Sequence, residues 1–276
     1  MGEDIDNTKN YSSMARAIRR ISLILAHNAN SSHSGGALSM ADILAVLYSE
    51  GGELNISPET VESPDRDRFV LSKGHCCASL YAALALRGFL PMDDLLSEYG
   101  KNGTSYFTHV SHKLNGVEIS SGSLGHGLPV AVGIAIAGRA RNLDYKTFVL
   151  TGDGELDEGS CWEAILFAGN QQLSNLCLIV DSNKIQSLGN VADINDLAPL
   201  KRKFDDFKWN AIEIDGHDYS QIEDAFRTFR NEDKRPTVII ADSVKGKGVS
   251  FMENKLKWHY SSPNDEQLKA ALEELL

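Results

Sequence analysis

This sequence predicts an α/β fold: a doubly wound, mostly parallel sheet with helices on both faces. Three observations carry that expectation. Short runs rich in β-branched and apolar residues alternate along the chain with segments of helical period. The stretch 146–189, KTFVLTGDGELDEGSCWEAILFAGNQQLSNLCLIVDSNKIQSLG, reads as strand, acidic glycine turn, helix, strand and polar turn. A strand–helix–strand of that length is a βαβ unit, so its strands are parallel and its crossover right-handed. Finally, no repeat, low-complexity segment or linker divides the 276 residues, and a single domain over 1–276 is expected.

Each element has its own signal. Residues 4–10 read as a frayed start. Residues 11–28 follow a helical period, with Met14, Ile18, Ile21 and Leu25 in phase and Arg16, Arg19 and Arg20 facing elsewhere. A small-residue loop, 30–36, holds His33, and 39–49 is a helix capped by Ser39 with Asp42 three positions on. The polar connection 51–68 leads to a short strand, 69–72. His75 opens a helix running to about Arg87, and 92–99 is another. Residues 100–121 are irregular and carry His109 and His112. Ala131, Gly133, Ala135, Ala137 and Gly138 make 129–141 a helix suited to tight packing.

The strand at 147–150 is broken by Gly152-Asp153-Gly154. Residues 158–172 place Trp162, Ile165, Leu166 and Gly169 at the three-and-four spacing of a helix with one buried face. A buried strand, 176–180, is stopped by Asp181-Ser182-Asn183. Further on come a helix near 197–207, a strand at 211–214, a helix at 219–231 and a strand at 237–241 ending at Asp242. A closing helix, 262–276, is capped by Ser262-Pro263.

Composition narrows the function classes. Hydrophobic residues make up 42% of the chain, enough for a sizeable core, and the net charge is −11 with a pI of about 5.2. Such a chain is a poor partner for a nucleic-acid backbone or an anionic membrane. Any anionic ligand must be met locally, by backbone amides, a few His or Lys and a metal. Cys76, Cys77, Cys161 and Cys177 have no metal spacing and read as buried free thiols of a reducing compartment. With no signal peptide and no membrane-length apolar run, the expected location is cytoplasmic.

The βαβ unit decides what its polar residues can do. Asp153 and Asn183 are thirty positions apart, yet both fall just past the carboxyl ends of parallel strands, where ligands of open α/β sheets bind. An Asp carboxylate, an Asn carbonyl and a freed backbone carbonyl at Ile185 form a hard, all-oxygen partial shell. Magnesium suits it, with phosphate oxygens and water completing the shell, and Ca2+ or Mn2+ as substitutes. Gly152 and Gly154 let the backbone approach a diphosphate, and the following helix aims its N-terminus at it. Against this stands plain turn chemistry, which Asp and Asn favour anyway.

GDG followed by a helix and an Asn-containing turn resembles the thiamine diphosphate signature of the transketolase superfamily. Four further blocks agree in order: HSGGALSMADILAVLY from His33, RDRFVLSKGHCCASLYAAL from Arg66, GVEISSGSLGHGLPVAVGIAIA from Gly116 and KGKGVSFMENKLKWHYSSPNDEQL from Lys245. The resemblance implies the N-terminal, diphosphate-binding half of a transketolase, which transfers a two-carbon ketol unit from a ketose, as a sugar phosphate, to an aldose. It implies thiamine diphosphate and Mg2+ as cofactors. His75, Gly122, Ser123, Leu124, Gly152, Asp153, Gly154, Glu155, Asn183, Ile185 and His259 would bind the cofactor, with Asp153, Asn183 and Ile185 on the metal. His33, His75, His109 and His259 would be catalytic, polarising oxygens. A histidine's ordinary pKa, about 6.5, gives both protonation states near neutral pH.

Departures leave some assignments open. The family's Gly-His-Pro is Thr108-His109-Val110 here, so His109 and His112 both remain candidates. Tyr260 follows His259 where the family more often has glycine. His126 replaces a common glutamine and is expected to line the cofactor through the 122–127 backbone. Glu158 reads either as a helix-dipole complement or, by resemblance, as a contact to a partner's glutamate. Lys245 and Lys247 read either as phosphate-steering or as a solvated loop.

The superfamily's activating glutamate sits on a pyrimidine-binding domain that does not follow here. The expectation is a split enzyme, α2β2 with a C-terminal subunit, in which this chain alone binds cofactor poorly and turns nothing over. Two other readings compete. One is half of a 2-oxo-acid dehydrogenase or of a deoxyxylulose phosphate synthase-like enzyme, against which SKGH and GSLGHG speak. The other is a non-catalytic half, which would have no need of Asp153, Asn183 and the histidines.

Overall fold

The computed structural model describes residues 7–276, with side chains from Tyr11 onward. In chain order the elements are α1 (Asn7–Asn28), α2 (Ser34–Ser39), α3 (Ala41–Tyr48), β1 (Arg68–Leu71), α4 (Cys77–Leu86), α5 (Met92–Glu98), α6 (Gly127–Ala140), β2 (Thr147–Gly152), α7 (Gly159–Asn170), β3 (Leu176–Ser182), α8 (Val191–Ile194), α9 (Leu200–Asp206), β4 (Asn210–Asp215), α10 (Tyr219–Asn231), β5 (Thr237–Asp242), α11 (Lys257–Tyr260) and α12 (Asp265–Glu274). Single 3-10 turns at Gly74–Cys76 and Gly154–Asp157 lead into α4 and α7. The strands form one all-parallel sheet in the order β1-β2-β3-β5-β4.

Strand periodicity sorts the core into two layers. Phe148, Leu150, Cys177, Ile179 and Ile239 face one side, where α1, α3, α4 and α10 bring Ile18, Leu44, Leu80 and Phe226 against them. Val149, Leu176, Leu178, Val180 and Val238 face the other, under Ala131 and Ala135 of α6, Ile165 of α7 and Phe204 of α9. Each Val, Leu, Ile or Phe among them gains about 1.5–3 kcal/mol on burial, so both helical layers are held firmly. The doubly wound sheet read from the sequence is therefore present. A third cluster joins Leu23, Leu38, Val249, Met252, Trp258 and Leu275, anchoring the segment that carries Lys245 and His259.

Several local expectations are corrected. Of the frayed start placed at 4–10, residues 4–6 lie outside the described residues, and 7–10 already belong to α1. Ser39 is not a cap but the last residue of α2; Met40 precedes α3 without a side-chain cap. Ser39 instead donates to Asp181 at 2.6 Å, and Asp42 pairs with Arg19, which is buried on α1. Asp181 and Ser182 do not stop the strand but end it, as part of β3. Asn264, with Gln267 in a capping box, starts α12 in place of Ser262-Pro263. Of the five small residues singled out in α6, Ala131, Ala135 and Gly138 are buried, while Gly133 and Ala137 are exposed. All four cysteines are free and buried. Among the described residues no helix is long and apolar enough to cross a membrane.

Candidate active site

At the carboxyl edge of the sheet β2 and β3 end side by side, with Gly152 opposite Asp181. Asp153 follows immediately, and its N–H donates to the Asp181 carbonyl at 3.3 Å. The Lys184 N–H donates back to Asp153 Oδ2 at 2.6 Å, and the Gly154 N–H to Oδ1 at 2.8 Å. Asn183 Oδ1 accepts from Ile185 N–H at 3.2 Å. The two residues thirty positions apart in the sequence thus meet at adjacent strand ends. Beside them opens a cavity of about 250 Å3 lined by His33, Lys73, His75, Asp153, Asn183, Lys245 and His259, among others.

Beneath that cavity lies a closed polar network. The Asp181 carboxylate, wholly buried, accepts from Ser39, Ser243, Lys73 and, at 3.0 Å, Asn183 Nδ2. Lys73 also donates to the Gly36 carbonyl at 3.0 Å. Burial alone would raise the Asp181 carboxyl, but the Lys73 charge and the hydroxyls hold it below the ordinary range. Its hold on the amide nitrogen fixes which face of Asn183, the carbonyl, turns to the metal position.

The residues fit a cation. Asp153 is buried and receives only backbone N–H groups, so desolvation, with the neighbouring Asp181 charge, pushes its carboxyl up to about 6. A carboxylate left so short of positive charge is what a divalent ion would restore. Among the described residues no group of three His, Cys, Asp or Glu is placed to hold a metal ion by itself. The protein therefore offers a partial oxygen shell, Asp153, Asn183 and the Ile185 carbonyl, that phosphate and water oxygens would complete. That carbonyl now accepts from Lys245 Nζ at 2.7 Å. A diphosphate also fits: Gly152 faces open space, and a Cβ at Gly154 would come within 2.6 Å of the Gln186 side chain. The amides at the cavity rim belong to the 3-10 turn, since α7 starts only at Gly159; the expected helix N-terminus is set back.

Three histidines, His33, His75 and His259, line the cavity, and His109 adjoins His33. The ring centre of His33 lies 4.7 Å from His75, 5.1 Å from His259 and 6.2 Å from His109. His33 has a left-handed backbone, φ 74°, and its N–H donates to the His259 carbonyl at 3.0 Å. That conformation costs on the order of 1 kcal/mol and fixes the ring's direction. Burial, then the His109, Lys245 and Lys73 charges, lower His33 to about 4; burial and Lys245 lower His259 to about 3. His75 and His109 are lowered too, both first by burial. The expected mixture of protonation states near neutral pH is therefore shifted towards the neutral imidazole, by burial at all four rings and by lysine charges at His33, His75 and His259.

The remaining assignments divide. His109 joins the cluster, whereas His112 is exposed and bonds Ser120 at 2.8 Å. Gly122, Leu124, Gly152, Gly154 and Glu155 line the cavity, while Ser123, His126 and Glu158 are exposed and do not. Glu155 turns its carboxylate away to Ser72, Gly125 N–H at 2.9 Å and Gly152 N–H at 3.2 Å, clamping the 122–127 loop to β2. Lys245 is buried and bonds His259 Nδ1 at 2.9 Å, with burial lowering its ammonium to about 8; Lys247 is only partly buried and lines another hollow. Sequence reasoning missed Lys73 and Asp181. Their signal was a charge set in a small, apolar run, SKGHCC and LIVDSN, where solvation has no room.

Comparison with known proteins agrees with this geometry. A family model described as transketolase, thiamine diphosphate binding domain, matches residues 10–275. The chain is 42% identical over 265 residues to one of the subunits of the apulose-4-phosphate transketolase of Actinobacillus succinogenes, covering 95% of this chain and 94% of that one. It is 39% identical over 262 residues to a 6-deoxy-6-sulfo-D-fructose transketolase subunit of a Clostridium species, with the same coverage. Among solved structures, Campylobacter jejuni transketolase superposes with a TM-score of 0.91 at 34% identity, covering 97% of this chain and 43% of that chain. The chain thus spans less than half of that transketolase.

Proposed function

This chain belongs to the transketolase thiamine diphosphate-binding family, and from that premise we propose that it is the diphosphate-binding subunit of a two-chain transketolase. It transfers a two-carbon ketol unit from a ketose to an aldose, with Mg2+, in an α2β2 assembly whose C-terminal subunit supplies the activating glutamate. One observation carries the reading: Asp153, Asn183, Ile185 and three histidines, His33, His75 and His259, line a single cavity beyond β2 and β3, with His109 against His33. The pairing is supported by relatives of matching length that are themselves named as single subunits of a transketolase. Those relatives are named for apulose-4-phosphate and for 6-deoxy-6-sulfo-D-fructose, so the substrate is read here at the level of a ketose donor.

When bound, thiamine diphosphate supplies the carbanion-stabilising chemistry of the transfer. This chain's residues do the rest. Asp153, Asn183 and the Ile185 carbonyl would hold the metal, and Asp181 keeps the Asn183 carbonyl turned towards that position. Lys245, His75 and His259, which line the same cavity, would meet the diphosphate charge. His33 and His109, held neutral, donate hydrogen bonds to the substrate oxygen on which charge develops.

The test is to produce the chain together with its C-terminal partner and to assay ketose and aldose pairs. Transfer that needs both chains, thiamine diphosphate and Mg2+ is the expected result. Full transfer by this chain alone, or oxidation of pyruvate in place of ketol transfer, would overturn the reading.

A further inference from the structure

Beside the cavity lies a second hollow, of about 340 Å3, lined by residues 29–33, Thr108 and Tyr260. We propose that this hollow takes the uncharged, hydroxylated chain of the aldose, with Tyr260 and Thr108 as its specificity-determining walls. The inference rests on the function proposed above and names the substrate chemistry of the same site. His33 lines both spaces, so the hollow continues outward from the group placed against the reacting oxygen.

The lining is polar but carries no fixed charge: an amide at Asn30, hydroxyls at Ser32, Thr108 and Tyr260, and an imidazole that burial keeps neutral. Sugar hydroxyls, each both donor and acceptor, match such walls, whereas a phosphate or sulfonate finds no lysine or arginine there. An anionic end of a sugar must therefore be met elsewhere.

Tyr260 is placed to read chain length. Its side chain is 59% exposed, unusual for a ring of that size, yet its hydroxyl donates to the Ser187 carbonyl at 2.7 Å. The ring lies 4.9 Å from His259. The tether strings Tyr260 between the segment carrying His259 and the turn that follows Asn183, at the junction of the two spaces. Nothing in the core depends on it, so its replacement leaves the fold intact.

The experiment uses the two-chain enzyme with glycolaldehyde and with three-, four- and five-carbon aldoses as acceptors. Glycolaldehyde is too short to enter the hollow. Tyr260→Ala is expected to raise KM for four- and five-carbon aldoses about tenfold, the size of one lost hydrogen-bonded wall. Its KM for glycolaldehyde, its kcat and its half-saturation by thiamine diphosphate should stay within about twofold of the wild type. Thr108→Val, nearly isosteric, should repeat the pattern at about threefold. Equal changes for short and long acceptors, no change, or a shift in cofactor saturation with KM unmoved would each overturn the inference while leaving ketol transfer standing. Absence of transfer in the wild-type complex would instead overturn the underlying reading, and this inference with it.

Discussion

Asp181 and Asp153 are neighbours at the sheet edge, one ending β3 and one just past β2, and both are buried. Asp181 meets a lysine, two hydroxyls and an amide, and its carboxyl lies below the ordinary range. Asp153 meets two backbone N–H groups, and its carboxyl rises to about 6. The lysines repeat the contrast. Lys73 is paired and its ammonium is raised, burial being outweighed by Asp181, while Lys245 has no carboxylate partner among the described residues and falls to about 8. The lower layer is complete in itself and holds the strand ends; the upper layer is left short of partners, as a site awaiting a ligand is.

The largest effect expected from breaking that contrast falls on the closed layer. Asp181→Ala leaves the Lys73 charge buried and unpaired, which costs about 3–5 kcal/mol. At this chain size the melting temperature should drop by roughly 10 °C. Replacing both members, Lys73→Met with Asp181→Leu, should recover most of the loss, because no lone charge remains. Thermal unfolding followed by circular dichroism measures both, and a loss under about 1 kcal/mol for the single variant refutes the closed-layer account.

The open layer answers differently. Asp153→Ala removes an underpaired carboxylate, so the free chain should keep its melting temperature or gain slightly. Magnesium-dependent binding of thiamine diphosphate to the two-chain complex should weaken at least a hundredfold, about 2.7 kcal/mol. Calorimetric titration showing retained tight binding would end the metal assignment.

Acid sharpens the comparison. The folded state holds His33 at about 4, below its ordinary 6.5, so the unfolded chain takes up that proton first. Stability from this group is intact above pH 6.5 and is lost as pH falls towards 4. Asp153, raised to about 6, works in the opposite sense, gaining stability over the same fall. A variant that changes only His33 separates the two. His33→Asn suits the left-handed backbone and should become more stable relative to the wild type as pH drops from 7 to 4, by about 2 kcal/mol. Parallel denaturant midpoints across that range would show that the ring is not held neutral.

What the sequence made legible follows the same division. The sheet, the meeting of Asp153 with Asn183, and the loops carrying His33, His75 and His109 were readable because periodicity and parallel crossover topology impose them. Tyr219–Asn231 was found to the residue, where an amphipathic stripe begins just after a capping aspartate. The lower layer was not readable. Lys73, Ser39, Asp181 and Ser243 come from four separate parts of the chain, and only the fold, which sets α2 and the residues after β1 and β5 beside the end of β3, makes them partners. The same blindness made Ser39 a cap and Asp181 a strand stop, since local rules assume a polar residue is spent locally. His259 was found by motif alone; its short helix, α11, has no periodicity to detect, and Trp258 buried beside it is what holds it.

The smallest effect belongs to an ion pair as close as Lys73–Asp181 but placed in water. Lys184 bonds Asp242 with the two side chains 66% and 64% exposed, against 2% and 0% for the buried pair. Solvent screens the attraction, and two long side chains lose freedom to make it, so the net worth is about 0.5 kcal/mol or less. Lys184→Met keeps the backbone N–H that serves Asp153, and its own φ of 66° burdens either side chain equally. The melting temperature should therefore move by no more than about 2 °C, and even that difference should vanish in about 1 M salt. If Lys184→Met destabilised the chain as much as Asp181→Ala, distance rather than burial would govern these pairs, and the contrast between the two layers would lose its physical basis.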